Sequence, residues 1–235
     1  MALPFFYQEA IDPDQTIVDL DGDTSRHVIS VLRMKLGDPV HLTDGKGLLL
    51  TAEIMEEYKK KCSVRVTASR FIDPRPRKVT IAVSLLKNNH RFEWFLEKAT
   101  ELGVAEIIPL LSERTERQHF RADRMKNMLV SAMLQSQQSW LPVLHEPVAV
   151  ETLIRQSSQQ QKFIAHCIDD EKKNLGDLVD TSLASQVILI GPEGDFTAAE
   201  IDLALLQGFV PVTLGDTRLR TETAGVVAAT LLMVK

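Results

Sequence analysis

The stretch that decides the fold lies in the last fifty residues: VILIGPEGDF at residues 187–196, then PVTLGDTRLRTETAG at residues 211–225. In both segments an apolar run of strand length leads into a glycine-containing loop, and a helix-forming sequence follows. Open α/β sheets bind ligands at the carboxyl ends of their strands, where glycine lets the backbone approach a ligand closely. The stretch therefore predicts a small-molecule pocket with a charged cluster, LRTETA at 219–224, beside it.

Outward from this stretch, the chain from residue 79 alternates between strand and helix patterns. The predicted strands are Val79 to Leu86, Glu106 to Leu111, Lys162 to Ile168, Val187 to Ile190 and Pro211 to Leu214. The predicted helices are Asn89 to Leu102 with Gly103 as its stop, Arg121 to Gln138, Val148 to Gln160, and one that begins at the capping box Thr197-Ala-Ala-Glu200 and ends before Gly208. Alternation of this kind predicts a mostly parallel sheet.

The first 72 residues read instead as short β-segments separated by turns. The predicted strands are Val28 to Leu32, Pro39 to Leu42, Leu48 to Ile54 and Cys62 to Ala68. Their spacing suits a small antiparallel barrel. Asp73-Pro74-Arg75-Pro76-Arg77 is the predicted linker because its prolines stop both helix and ladder. We therefore expect a β-domain at 1–72, a linker at 73–78 and an α/β domain at 79–235.

Composition excludes several classes of protein. The net charge of −5 argues against a protein that coats nucleic acid nonspecifically, and DNA is not an expected partner. No apolar run is long enough to span a membrane, and the N-terminus lacks a secretory pattern. Cys62 and Cys167 lie far apart and predict neither a disulfide framework nor a metal site. The turn Gly45-Lys46-Gly47 lacks the third glycine of a dinucleotide fingerprint.

The motifs IGPEGDF, Leu214-Gly215 and LRTETAG resemble the signature of the RsmE family, ribosomal RNA small-subunit uridine-N3 methyltransferases of the SPOUT (trefoil-knot) class. The similarity extends upstream to Lys98–Val104, to Ser112-Glu113-Arg114 and to the N-terminal segment His27–Arg33, so that it spans nearly the whole chain. It implies a C-terminal SPOUT α/β trefoil-knot domain preceded by a PUA-like β-barrel. Connections in sheets normally avoid knots, so the knot is implied by the resemblance alone.

The resemblance also implies that the glycine loops hold S-adenosylmethionine (SAM) and that no metal is needed. Without it, the favoured interpretation is that Gly191 and Gly194 end a buried strand and turn the chain. The residues that the family pattern assigns to the cofactor are His166, Ile190, Gly191, Pro192, Glu193, Gly194, Leu214, Gly215, Leu219, Arg220, Thr221, Thr223 and Ala224.

Arg220 and Glu222 are the predicted catalytic residues. Methylation at uridine N3 requires loss of the imide proton, and a guanidinium beside the methyl donor could stabilise the resulting negative charge. The alternative for Arg220 is a structural salt bridge to Glu222 or Glu193. Glu222 is either a general base or a carboxylate that stabilises a helix start, and Thr221 is either a helix cap or a cofactor contact.

Candidates for RNA contact follow from the family pattern and from a basic stretch. The family pattern gives His27, Arg33, Lys87, Arg114 and Arg117. The basic stretch contains Lys59, Lys60, Lys61, Arg65, Arg70, Arg75, Arg77 and Lys78 against the single acid Asp73. By itself such a stretch is typical of a solvated strand edge, whereas the resemblance favours contacts with the RNA backbone.

The sequence departs from the family pattern at two places. Many relatives read Glu-Gln-Ser-x-Arg before the proline that matches Pro142, whereas this chain has Leu134 and Gln138 in place of the acid and the arginine. A second departure is GPEGDF in place of the commoner GPEGGF, which puts Asp195 in the turn.

The prediction is a SAM-dependent cytoplasmic enzyme that methylates N3 of a uridine in 16S rRNA. Its substrate is expected to be small-subunit rRNA or the assembled 30S subunit, and SPOUT proteins act as homodimers. The alternatives are a 2′-O-ribose methyltransferase of the same fold and a non-catalytic RNA-binding factor of ribosome assembly.

Overall fold

The computed structural model describes residues 3–56, 61–116, 120–168 and 171–234. The chain forms two compact units: unit 1 is Met1–Pro74 with Met133–Leu141, and unit 2 is Arg75–Ala132 with Pro142–Lys235. The domain bounds expected from the sequence stay a prediction. The structural division differs from them by grouping Met133–Leu141 with the N-terminal unit.

Unit 1 is built on a five-stranded sheet with the order β1-β3-β4-β5-β2. Its elements are β1 (Phe5–Tyr7), β2 (Ile17–Asp19), α1 (Gly22–Arg26), β3 (Pro39–Thr43), β4 (Leu48–Ile54) and β5 (Ser63–Phe71). β1 runs parallel to β3, and the other pairings are antiparallel. Apolar side chains that alternate along β3 and β4, such as Val40, Leu42 and Leu50, are fully buried in one core. The expected small N-terminal β-domain is present.

One predicted strand of unit 1 is wrong. Val28 to Leu32 is helical, because α1 continues into a π-helical turn at His27–Val31. Asp21 caps this segment by accepting hydrogen bonds from two backbone N–H groups at the start of α1, at 2.9 and 2.8 Å. The β-branched residues favour a strand, but Val28 is the buried residue of the turn. The cap contributes roughly 1 kcal/mol to the helical start.

The α/β part of the chain contains the remaining strands and helices. The strands are β6 (Lys78–Ser84), β7 (Glu106–Leu111), β8 (Val143–Leu144), β9 (Val148–Ala149), β10 (Gln161–Ala165), β11 (Lys173–Asn174), β12 (Ser185–Ile190) and β13 (Val210–Thr213). The helices are α2 (Asn89–Leu102), α3 (Ala122–Gln135), α4 (Val150–Gln156), α5 (Leu175–Leu178), α6 (Ala198–Leu206) and α7 (Thr221–Met233). The sheet has the order β11-β13-β10-β12-β6-β7-β8, and β9 also pairs with β7.

Every pairing in this sheet, within the described residues, is parallel, which confirms the predicted α/β class. The helix at 89–102 and the strand at 106–111 have the predicted bounds. Asn88 caps α2 through its side chain, and Gly103 ends it in the left-handed region at φ 84°. The predicted capping box is also present, since Thr197 and Glu200 each bond the other's backbone N–H.

Glu106 joins two strands of this sheet through its carboxylate. Lys78 Nζ lies 2.6 Å from Oε1, and the Thr80 hydroxyl donates to Oε2 at 3.0 Å. Burial acts to raise the pKa of this carboxyl, but the bonds from Lys78 and Thr80 and the lysine charge outweigh burial and hold the pKa below its ordinary value of 4.5. The ionised carboxylate therefore stabilises the folded state fully at pH values above its ordinary pKa. This stabilisation is lost as the pH falls through the lowered pKa of the folded state.

We expect Glu106→Gln to reduce the free energy of unfolding by about 1–3 kcal/mol at neutral pH, because the variant loses charged hydrogen bonds at a half-buried site. The difference from the unchanged protein should shrink in acid, where Glu106 itself is protonated. Denaturant unfolding at a series of pH values measures this. Glu146→Gln, at an exposed position in the same unit, is the matched control. If the difference in unfolding free energy between the variant and the unchanged protein does not vary with pH, the charge of the Glu106 carboxylate is not its cause.

Candidate functional site

A cavity of about 630 Å³ opens at the carboxyl edge of the sheet in unit 2. β10 pairs in parallel with β12 on one side and with β13 on the other, so the three strands end at the same edge. Ala165 is in register with both Ile190 and Val212, and this row of residues across three strands lines the cavity. The volume is within the range of small-molecule sites, roughly 300–1,000 Å³.

The loops that follow the three strands supply the rest of the lining. Most of the residues predicted to hold the cofactor meet here. They are His166, Ile190, Gly191, Pro192, Glu193, Leu214, Gly215, Leu219, Arg220, Thr221 and Ala224. Two predicted residues, Gly194 and Thr223, do not line the cavity. The structure thus brings the predicted set to one place, and the role of each residue stays a prediction.

The loop after β12 is a tight turn held at several points. The Asp195 N–H donates to the Pro192 carbonyl at 2.9 Å, and Phe196, which is 1% exposed, anchors the turn in the core. A Cβ at position 191 would lie 3.2 Å from the Phe196 ring and backbone, so the turn leaves little room for any residue larger than Gly191. Gly191 follows the end of β12 and lines the cavity, and its contact with a cofactor stays a prediction.

The loop after β13 is open where the loop after β12 is tight. Gly215 has φ 134°, a backbone conformation that is strained for any residue with a side chain. A Cβ there would meet no atom within 4 Å. The Thr213 hydroxyl donates to the Gly215 carbonyl at 2.9 Å and fixes the turn. This glycine is therefore required by backbone geometry, and its exposed backbone faces free space beside the cavity.

Arg220 is available for a ligand. It occupies the N-cap of α7 with extended backbone geometry, and its exposed side chain lines the cavity. The structural alternative was a salt bridge to Glu222 or Glu193. Within the described residues neither pair forms, and Glu222 pairs with Arg91, at 3.6 Å between Oε1 and Nε.

Glu222 does not line the cavity. It is buried in the first turn of α7, where a carboxylate stabilises the helix start. Its Oε2 atom has no hydrogen-bond partner in the part of the chain that the structure describes. The geometry favours the structural reading of Glu222 that the sequence had left open, and the catalytic reading stays a prediction.

Several lining residues were missed by sequence reasoning. They are Ala165, Cys167, Lys172, Asp195, Val212, Thr213, Thr217 and Arg218. Most adjoin a predicted residue, so that extending each motif by a position or two would have found them. Lys172 carries no such signal. Its ammonium donates to the carbonyls of His166, at 2.9 Å, and Ile168. These bonds bring Lys172 to the cavity, and no pattern in the sequence predicts them.

Two of the predicted RNA contacts in unit 2 have structural partners. Arg114 Nη1 donates to the Gly194 carbonyl at 2.7 Å and so braces the loop after β12. Lys87 Nζ lies 2.8 Å from Glu116 Oε2, and the bond to this carboxylate, with its charge, raises the pKa of Lys87. Arg117 lies outside the described residues.

The candidates in unit 1 are exposed. His27 packs edge-on against Phe6, with ring centroids 6.1 Å apart, and Arg33 follows the π-helical turn with φ 55°. In the basic stretch Arg65 and Arg70 project from β5 into solvent, while Lys61 Nζ lies 3.6 Å from an Asp19 carboxylate oxygen. Lys59 and Lys60 fall outside the described residues.

The fold and the site define an α/β protein with a ligand cavity at the edge of a parallel sheet, and comparisons with known proteins place it among the RNA methyltransferases. A family profile described as RNA methyltransferase domain matches residues 73–233, and one described as RNA methyltransferase PUA domain matches residues 20–67. The ribosomal RNA small subunit methyltransferase E of Synechocystis sp. is 31% identical over 230 residues, which cover 94% of this chain and 75% of the relative.

Solved structures agree. A probable rRNA-methyltransferase from Porphyromonas gingivalis is 36% identical with a TM-score of 0.90, covering 98% of each chain. A ribosomal RNA small subunit methyltransferase E from Neisseria gonorrhoeae, bound to S-adenosyl methionine, is 30% identical with a TM-score of 0.88, covering 99% of this chain and 98% of that one. The chain therefore belongs to the ribosomal RNA small subunit methyltransferase E family, which confirms the resemblance and the expected fold class.

Two absences concern the part of the chain that the structure describes. No helix there is both long and apolar enough to cross a bilayer. No group of three or more histidine, cysteine, aspartate and glutamate side chains is placed to hold a metal ion in the same residues.

The cysteines offer a direct test of cavity occupancy. Cys167 is exposed and lines the cavity, whereas Cys62 is fully buried in unit 1. We expect a chromogenic disulfide reagent to modify one thiol per native chain, and SAM at ten times its Kd to slow that reaction about tenfold. Cys167→Ser should abolish the reaction. If SAM binds by calorimetry and leaves the labelling rate unchanged, the cofactor occupies another place.

Proposed function

We propose that this protein transfers a methyl group from SAM to N3 of a uridine in small-subunit ribosomal RNA. The observation that carries the proposal is the cavity at the ends of β10, β12 and β13, which has the exposed guanidinium of Arg220 in its wall. The similar proteins are named for methylation of this RNA, and the Neisseria gonorrhoeae structure contains SAM.

The lining suits SAM chemically. Ile190, Leu214 and Leu219 provide apolar surface for an adenine ring, and the loops after β12 and β13 bring backbone groups to the same cavity. SAM also carries a carboxylate, an ammonium group and a sulfonium. The cavity offers charges of both signs, since Arg218 and Arg220 line it together with Glu193 and Asp195. When bound, SAM supplies an electrophilic methyl group on its sulfonium.

Arg220 would act on the other reactant. Uridine N3 attacks a methyl group effectively only after losing its proton, and the resulting charge spreads to O2 and O4. A guanidinium presents several N–H donors in a planar fork, so it can bond such an oxygen and orient the base. Arg220 is suited to this because the N-cap position holds its backbone while no carboxylate neutralises its side chain in the described residues.

Glu222 would help to hold Arg220 in position from outside the cavity. Its ion pair with Arg91 links the first turn of α7 to α2, and the carboxylate stabilises the amino end of α7 where Arg220 is held. A general base has to reach the imide proton within hydrogen-bond distance, and Glu222 does not line the cavity. We therefore assign Glu222 a positional role and leave proton removal to another group or to water.

The remaining parts of the proposal concern partners. The N-terminal unit would dock the RNA, with His27 and Arg33 on its exposed helical segment. A homodimer is inferred from the SPOUT class. The assembled 30S subunit and naked rRNA are both substrates to be tested, and the cytoplasm is the compartment in which such a substrate is made.

The test is transfer of labelled methyl from SAM to unmodified small ribosomal subunits or naked rRNA, followed by digestion and identification of the nucleosides. We expect labelled 3-methyluridine. Arg220→Ala should lower kcat/KM by about 10²–10³-fold, the cost of removing one donor that stabilises a developing anion. Arg155→Ala, an exposed arginine on α4, is the matched control and should retain full activity.

Other outcomes identify the alternatives. A methyl group on the ribose would replace the uridine-N3 reading with 2′-O methylation. No label in a folded preparation that binds RNA would favour a non-catalytic assembly factor. If Arg220→Ala retains full activity, the proposed methyl transfer stands, but Arg220 has no part in its mechanism.

A further inference from the structure

Asp195 differs from the other residues of its loop because it reaches a second loop of the cavity. Its Oδ2 accepts a hydrogen bond from the Cys167 backbone N–H at 2.8 Å, across 28 positions of sequence. Its Oδ1 accepts from the Phe196 N–H, also at 2.8 Å. The residue is half-buried and lines the cavity. One carboxylate thus joins the loop after β10 to the loop after β12.

The two loops differ in how they are held. The loop after β12 is fixed by the buried Phe196 ring and by the bond from Arg114 to the Gly194 carbonyl. In the loop after β10, Cys167 and Ile168 are exposed. The β10 loop has a local brace of its own, from the Lys172 ammonium to the carbonyls of His166 and Ile168. The bond from the Cys167 N–H to Asp195 adds a tie from this loop to the better-anchored β12 loop.

The backbone conformation of Asp195 is one that favours glycine. Asp195 has φ 65°, in the left-handed region that glycine adopts without strain. Glycine would suit the turn at least as well, so the turn alone does not explain the aspartate. The side chain adds two hydrogen bonds, a local one from the Phe196 N–H and one from the Cys167 N–H that reaches a second loop.

We propose that Asp195 is a positioning residue for the cofactor cavity, which holds the backbone at Cys167 in place before SAM binds. Ordering a loop in advance removes part of the entropy cost of binding. This inference rests on the proposed function, because it takes SAM as the ligand of the cavity. It gives Asp195 an effect on SAM affinity and none on the methyl-transfer step.

The experiment compares Asp195→Gly and Asp195→Asn in the full-length chain. Glycine fits the turn, so that variant should fold, and asparagine keeps an acceptor oxygen without the charge. Asp202→Asn removes the same charge from an exposed position on α6 and is the matched control. SAM binding is measured by calorimetry without RNA, exchange of the Cys167 amide by NMR or mass spectrometry, and the KM for SAM and kcat by methyl transfer.

We expect Asp195→Gly to accelerate exchange of the Cys167 amide and to raise the Kd and KM for SAM about tenfold, equivalent to ~1.4 kcal/mol, with kcat at saturating SAM unchanged. Asp195→Asn should fall between this variant and the unchanged protein in both exchange and affinity. Unchanged exchange and affinity in Asp195→Gly would overturn the proposal. So would equal losses of affinity in both variants with the Cys167 amide still protected, since charge would then be the cause.

Failure of the proposed function would look different. The unchanged protein would then fail to bind SAM, whereas the exchange rates would still show whether Asp195 holds the β10 loop. SAM binding without methyl transfer would remove the proposed reaction and leave the role of Asp195 in affinity intact.

Discussion

The parallel pairing of β10 with both β12 and β13 is the constraint on which the site depends. The three strands all lie between residues 161 and 213, and their register puts Ala165, Ile190 and Val212 in one row. Parallel strands end at the same edge, so the loops that follow are forced together. A shift of one residue in either pairing would turn the side chains of that strand to the other face of the sheet and break the row. The position of the cavity is therefore set first by the register of the strands and only then by the loops.

Given that register, the loops still have to be held in place. The turn after β12 is anchored by Phe196 in the core, braced by Arg114 and joined to the β10 loop by Asp195. Glu200 adds a further brace, since it completes the capping box of α6 and accepts the backbone N–H of Glu113 at 2.9 Å. These bonds reach across the sheet edge, and they leave the opposite wall, around Gly215, open.

What the sequence could predict depended on whether the deciding interaction is local. The period of α2, its cap at Asn88 and its stop at Gly103 lie within sixteen residues, and its bounds were predicted correctly. The run at 28–32 failed because its β-branched residues were outweighed by a cap at Asp21, outside the run. Lys172 could not be assigned to the cavity, because it donates to backbone carbonyls that come within reach only in the folded loop. The grouping of 133–141 with unit 1 depends on contacts such as Trp140 Nε1 with the Ile72 carbonyl, 2.9 Å apart and 68 positions distant in the chain.

The motif at 219–224 shows why a residue can belong to a signature and still face away from the site. On a helix, positions three apart share a face and positions one apart do not. Thr221 and Ala224 are three apart and both line the cavity. Glu222 and Gly225 are three apart on the next face, which packs against α2.

That second face is fitted to α2 residue by residue. Glu222 pairs with Arg91, and one turn further along each helix Gly225 lies against Phe95. A Cβ at position 225 would come within 2.7 Å of the Phe95 ring, which is fully buried. Glycine at this point therefore lets α7 lie close to α2, and the helix start that carries Arg220 is fixed by the core. Four of the six residues at 219–224 line the cavity, whereas Glu222, together with the adjoining Gly225, packs the start of α7 against α2.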